Sequence, residues 1–308
     1  SPATVRNVMA DLEEAGYLEQ RHTSSGRVPT DKGYRYYVDY LMRVQDVTQA
    51  ERGQLERELG RQLNDADDIL RETSQLLALL SHQTSIIEAP SPSQALMHRI
   101  EIMSIGGPRI VVMLADNCGR VRTTVTSLAS SPTLDQLTKL NRFLNEHLVG
   151  IPLDRVSAAM HSKLSSFIDE QHQLAEQAMT VLDLVPPNQP EKLFLDGATM
   201  LFEQPEFRDV ERAREVFGLL EERDRVMELL RAGIVTAFPG KTRVIIGSES
   251  PEHGLHEISV VSAPYRIRDE TVGMVGVLGP RRMPYSRLTG VVEYTASMLS
   301  RILTRLAG

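Results

Sequence analysis

The chain has 308 residues, 41% of them hydrophobic and 24% charged, which is ordinary for a soluble globular protein of about two domains, or three small ones. No apolar run approaches the ~20 residues that cross a bilayer, and no leader pattern opens the sequence. A single cysteine, Cys118, excludes an intrachain disulfide and a multi-cysteine metal site and fits a reducing cytoplasm, while a net charge of −7 excludes a nucleic-acid role resting on overall charge.

Local clustering reverses that last exclusion. Between Arg21 and Tyr37 stand four cations (Arg21, Arg27, Lys32, Arg35) against one anion, Asp31. Five of the eight tyrosines also lie in the first 40 residues. From Asp46 to Glu88 the balance turns to nine acids against four arginines, so a basic, Tyr-rich head precedes an acidic body.

Ser1-Pro2 is a helix start, with a hydroxyl cap and a proline whose missing N–H costs nothing there, and Gly16 supplies the stop. At 100° per residue Val5, Val8, Met9 and Leu12 share a narrow arc, which predicts a buried stripe. The opposite face holds Ala3, Asn7 and Ala10, flanked by Thr4 and Arg6. Two alanines let that face approach bases closely; Asn suits adenine edges and Arg suits guanine. Tyr17–Gln20 reads as a short strand. His22–Arg27 reads as a hairpin tip offering Thr23, Ser24, Ser25 and Arg27 to phosphates or the minor groove. Thr30 caps a second helix that carries Tyr34, Tyr37 and Leu41 on one side, with Lys32 in its first turn. Helix, strand, basic tip, strand and helix in this order are the back half of a winged helix-turn-helix.

Thr48-Gln49-Ala50-Glu51 is a capping box opening a helix that breaks near Asn64-Asp65 and resumes to about Thr84. Leu70, Leu76, Leu77, Leu79 and Leu80 give its far end an apolar stripe, read as core packing. Ala89-Pro90-Ser91-Pro92-Ser93 is a linker. Beyond it Arg99–Met113 and Arg120–Leu128 are β-rich, joined at Asp116–Gly119, and Leu134–Leu148 is helical. A helix over Glu206–Arg231 has Phe207, Val210, Phe217, Leu220 and Leu230 as its core side. Arg243–Ser248, Glu257–Ser262 and Thr271–Leu278 are strands, and a last helix spans Ser286–Leu306. Strands split around helices predict an α+β multidomain chain in which one domain carries an insertion.

The stretch ATVRNVMADLEEAGYLEQRHTSSGRVPTDKGYRYYVDYL, above all His22–Asp39, resembles the recognition helix and wing of the HrcA family, the bacterial heat-inducible transcription repressors. VIIGSESPE (Val244–Glu252), SVVSAPYR (Ser259–Arg266) and GMVGVLGPRRMPYSRL (Gly273–Leu288) resemble that family's C-terminal half. The resemblance implies a winged helix over 1–45, N-terminally incomplete here, and a helical connector and linker over 46–94. It implies a GAF-like domain from 95–150 and 206–308, interrupted by an inserted dimerising domain at 151–205. Implied partners are an inverted-repeat CIRCE operator in double-stranded DNA, a second copy of the chain, and the GroE chaperonin. Family members carry further helices ahead of this point, so the stretch as numbered is expected to bind operator poorly.

The DNA-contact candidates are therefore Arg6 and Asn7 for base edges, Thr4 for a base or a phosphate, and Thr23, Ser24, Ser25, Arg27 and Lys32 for phosphates or groove. His253 and His256, three apart between Glu252 and Glu257, are read as an exposed loop rather than a metal site. One turn cysteine without a resolving partner, and no nucleophile elbow or phosphate loop, argue against an enzyme and against a cofactor. The rival reading is a regulator switched by a small molecule in the GAF-like pocket.

Overall fold

The structure is a computed structural model describing residues 1–20, 26–60, 65–90, 95–128, 130–156, 158–159, 192–207, 209–232, 234–235, 242–250 and 256–307. The head comprises α1 (Pro2–Glu14), β1 (Leu18–Gln20), β2 (Arg27–Pro29) and α2 (Asp31–Tyr36). Helix α2 runs directly into a π-turn at Tyr37–Leu41. Then follow α3 (Gln49–Leu59), α4 (Ala66–Ser81), β3 (Thr84–Glu88), β4 (Met97–Gly106), β5 (Arg109–Asp116), β6 (Val121–Ser127) and α5 (Leu134–Leu148). The chain continues through β7 (Leu193–Asp196), α6 (Ala198–Phe202), α7 (Val210–Glu221), α8 (Arg223–Arg231), β8 (Ile234–Val235), β9 (Arg243–Ile246), β10 (Ile258–Ile267), β11 (Glu270–Pro280) and α9 (Tyr285–Leu306).

An antiparallel six-stranded sheet, ordered β7-β3-β11-β10-β9-β8, is the centre of the molecule. Successive residues face opposite sides of a strand, and both sides here are apolar. Ile87, Val244, Val261, Val275 and Val277 join the core that includes α4 and α9. Their neighbours Ile86, Ile245, Val260, Met274 and Leu278 pack in a second core with Val216, Leu219, Val226, Leu229 and Leu230 of α7 and α8. Helices thus cover both faces, and each fully buried aliphatic side chain contributes roughly 1.5–3 kcal/mol relative to exposure.

A separate three-stranded sheet, β4-β5-β6, lays one face on α5. Asn141 and Asn145 of α5 fasten the two, each accepting a strand N–H and returning its amide to a strand carbonyl at residues 102 and 100. In the β5–β6 hairpin the Asp116 carboxylate accepts the N–H groups of Cys118 and Arg120 and pairs with the buried Arg120 guanidinium. Cys118 is buried in this turn, and burial, with Asp116 alongside, pushes its thiol up to about 12.

Several sequence expectations hold in detail. The Thr48 box caps α3, and α5 spans the expected residues behind a second capping box at Thr133 and Gln136. Others are corrected. The second connector helix stops at Ser81, and Thr84–Glu88 is a strand of the main sheet, between β7 and β11. Among the described residues, 95–150 give no strand to that sheet, while β7, expected inside an insertion at 151–205, is its edge. The segment interrupting the main sheet therefore lies between β3 and β7, because β-propensity marks a strand but not its partner. The Glu206–Arg231 helix is broken at Glu222, and Phe217 is 40% exposed while Val216 and Leu219 are buried instead. Leu79 is half-exposed. The π-turn rotates the chain so that Val38 and Met42 enter the core, leaving Tyr37 and Leu41 outside.

Candidate nucleic-acid interface

Helix α1 begins as its sequence requires: the Ser1 hydroxyl accepts the Thr4 N–H at 3.4 Å, and Pro2 occupies the first turn. It ends at Gly16, whose φ of +75° reverses the chain into β1. The helix buries no residue. The expected buried stripe is corrected here: Val5 is 63% and Val8 49% exposed, because among the described residues α1 packs chiefly at its C-terminal end, on β1. The opposite face stands equally clear. Thr4, Arg6 and Asn7 are exposed, and the side chains of Arg6 and Asn7 make no hydrogen bond or ion pair with the described residues. Among the described residues the Thr4 hydroxyl hydrogen-bonds the Ser1 hydroxyl beside it, at 3.2 Å. The structure thus brings Thr4, Arg6 and Asn7 together on one open face near a helix N-terminus.

The β1–β2 ribbon pairs Leu18 with Pro29 and Gln20 with Arg27. Its tip, with Thr23, Ser24 and Ser25, lies outside the described residues, as does His253. Arg27 and Lys32 are placed, and both are engaged within the head. The Arg27 guanidinium pairs with Glu13 of α1 at 2.6 Å. The Lys32 ammonium donates to the Ala15 carbonyl at 2.7 Å, where a helix C-terminus favours a cation, and lies 4.4 Å over the Tyr17 ring. Thr30, the α2 cap, also donates its hydroxyl to the Gly16 carbonyl at 2.7 Å. Gly33 is required at this crossing, since a Cβ there would sit 2.2 Å from the Tyr17 carbonyl oxygen. Tyr17, Tyr36 and Tyr40 form an aromatic ladder with centroids 5.3 and 5.0 Å apart.

Sequence reasoning missed a second set of residues, which join α2 to the sheet. The Asp31 carboxylate accepts the Ser248 N–H and hydroxyl and pairs with Arg281 at 2.7 Å. Burial pushes its pKa up, but the Ser248 hydrogen bonds and Arg281 outweigh that and hold it below the ordinary aspartate value. One turn on, Arg35 pairs with Glu249 and Asp39 and donates to the Val244 carbonyl of β9. Burial lowers the Arg35 pKa, and Glu249 and Asp39 more than restore it. Tyr34 packs on Tyr285 at the foot of α9. Ser248, Glu249, Val244 and Arg281 lie more than 200 residues from their partners in the head, so no local pattern marked them.

Among the described residues no cluster of His, Cys, Asp and Glu could hold a metal, and no helix is long and apolar enough to cross a membrane.

A free-faced helix with Asn and Arg, carried beside a two-stranded ribbon on a large helix-covered sheet, is an arrangement that a DNA-binding regulator can use. Comparison with known proteins narrows it. Residues 67–289 match the family model for the HrcA protein C-terminal domain. The chain is 36% identical over 303 residues to a heat-inducible transcription repressor HrcA of Geobacter sulfurreducens, covering 98% of this chain and 88% of that protein. It is also 36% identical to those of Syntrophobacter fumaroxidans, over 98% of this chain and 87% of the relative, and Chlorobium phaeobacteroides, over 99% and 88%. A crystal structure at 2.2 Å, titled a hypothetical protein, shares the fold with a TM-score of 0.65 at 22% identity, over 99% of this chain and 88% of that one. The chain belongs to the HrcA family of heat-inducible transcription repressors, which are regulators and not enzymes.

Proposed function

We propose that this chain represses heat-shock operons as a homodimer in the cytoplasm, each head reading one half of an inverted-repeat CIRCE-type operator. The observation that carries this is the open face of α1, where Thr4, Arg6 and Asn7 lie together near the helix N-terminus. Asn and Arg there suit base edges in the major groove, and the helix dipole favours an adjacent phosphate. In this reading residues 1–45 are a winged helix whose wing tip is Thr23–Arg27. The six-stranded sheet and its helices are the GAF-like domain, and the segment between β3 and β7 is the dimerising insertion. One recognition helix contacts too few bases for genomic specificity, so a two-fold dimer is the economical arrangement.

Relief on heating works through availability of the GroE chaperonin, which maintains the active form until unfolded protein occupies it. The physical basis is a gap of only a few kcal/mol between active and inactive arrangements. Footprinting of the full-length protein on the upstream region of its own operon, with and without chaperonin, tests both parts. Protection of an inverted repeat that strengthens with chaperonin is expected. Protection insensitive to chaperonin through a heat step would remove the relief mechanism, and no protected repeat would remove the operator reading.

A second reading, a regulator switched by a small molecule, is favoured by a cleft of about 410 Å³ between head and sheet, lined by Tyr34, Tyr37, Met283 and Tyr285. A metabolite that raises the melting temperature and changes operator affinity together would select it.

A further inference from the structure

We infer that the polar joint of Asp31 and Arg35 with Ser248, Glu249 and Arg281 is the device that sets the bearing of the DNA-reading helix, making these five positioning residues for two-site operator recognition. The inference rests on the dimeric operator reading above.

The joint is built at both ends. On the sheet side Gly247 has a φ of +48°, and a Cβ there would come within 2.6 Å of the Asp31 carboxylate, so the backbone is shaped to receive that acid. Arg281 is only 15% exposed and touches Asp31 and Glu19 of the head and Glu257 of the sheet, the last two at 3.7 Å. Glu249 anchors itself by accepting the Ile246 N–H while it holds Arg35. On the head side Asp31 and Arg35 lie on α2, whose neighbours Thr30, Lys32 and Gly33 clamp the C-terminal end of α1. Short contacts therefore run from the C-terminal end of α1 to β9 and to the turn after β11. Apolar packing at Val38 and Tyr34 holds α2 near the sheet, but it is non-directional; the charged, bidentate contacts fix rotation. The joint also leaves Thr4, Arg6 and Asn7 uncovered, so it orients the reading face without blocking it.

Two linked heads gain affinity on a repeat only when both can engage at once, and a swivelling head forfeits part of that gain. Asp31→Asn and Ser248→Ala should therefore bind a single half-site duplex as the wild type does. Each should lose roughly tenfold on the inverted repeat and respond less steeply as the spacer is lengthened a base pair at a time.

The same variants are compared without DNA by electron-spin distance measurement, in the full chain diluted with unlabelled protein, with labels at Glu14→Cys and Arg305→Cys. Cys118 is 1% exposed with its thiol pushed up to about 12, so the introduced thiols take the label. The wild type should give one narrow distance distribution, and both variants a broad one, with unchanged far-UV circular dichroism. Distributions as narrow as wild type in both variants would overturn the joint. Broadened distances with unchanged repeat affinity and spacing preference would overturn its role in recognition. A wild type that binds half-site and repeat equally would overturn the dimeric reading and this role with it, whatever the distance widths.

Discussion

In the main sheet, β10 and β11 are buried almost end to end, whereas α1, of similar length, buries nothing. The sheet coheres because apolar side chains fill both of its faces. The head is held by a small number of directional contacts: a lysine on a helix end, a glycine crossing, and a carboxylate seated on a tailored turn. Burial makes the sheet costly to perturb and indifferent to exact rotation. The polar contacts make the head's orientation specific while adding little stability. A repressor needs both, since its reading helix must be exposed and still point in one direction.

The comparison breaks if the two regions respond alike to truncation. Leu299 on α9 is fully buried, and Leu299→Ala should destabilise the protein by about 2–5 kcal/mol in denaturant unfolding. Val5→Ala on the exposed stripe should stay within about 0.5 kcal/mol. Equal costs would mean that α1 is packed in solution.

Gly33→Ala should strain the close approach of α2 to the Tyr17 backbone by about 1–3 kcal/mol, because the nearest atoms are backbone and cannot swing aside. Operator affinity should drop several-fold while the main unfolding transition barely moves. Loss of the whole transition would show that head and sheet unfold as one unit.

Lys32→Ala sharpens a role that sequence and structure read differently. The sequence places Lys32 on DNA phosphate, which predicts weaker binding to all sequences and a salt slope lower by about one. The structure engages its ammonium on the α1 C-terminus, a contact of about 0.3–1 kcal/mol. An unchanged salt slope with reduced protection of α1 amides from hydrogen exchange would assign it to the head's interior.

The smallest effect is one of pH. A carboxylate held below its ordinary value contributes stability that is fully present above about pH 3.9 and lost as pH falls through its folded value. Asp31 is such a group, faced by Arg281, Glu19 and Glu257. Acidification from neutral should thus weaken the joint only near the acid end, and the melting temperature of Asp31→Asn should fall less there than that of the wild type. Parallel curves would deny Asp31 its ionic role.

The sequence disclosed what is local. The Thr48-Glu51 capping box and the Ser1-Pro2 start are contacts within four residues, so they could be read directly. The face with Thr4, Arg6 and Asn7 needed only the helical period. Strand β3 stayed hidden because only Ile86 and Ile87 of its five residues are apolar, too short a run to mark a strand. Its partners, β7 and β11, lie about 110 and 190 residues away. The joint stayed hidden for the same reason: Asp31 and Arg35 look like any solvated helix charges until Ser248, Glu249 and Arg281 are brought to them. Phe217 and Leu79 show the converse, apolar residues on a helix that the fold leaves outside.

The central claim is that α1 reads sequence through Asn7. The most direct measurement is the affinity of wild type and Asn7→Ala for the operator, for operators substituted one base pair at a time, and for random DNA at fixed salt. The account predicts a loss of about 1–3 kcal/mol on the operator, altered preference at one base pair per half-site, and little change on random DNA. Equal losses on operator and random DNA, with base preferences unchanged, would contradict it.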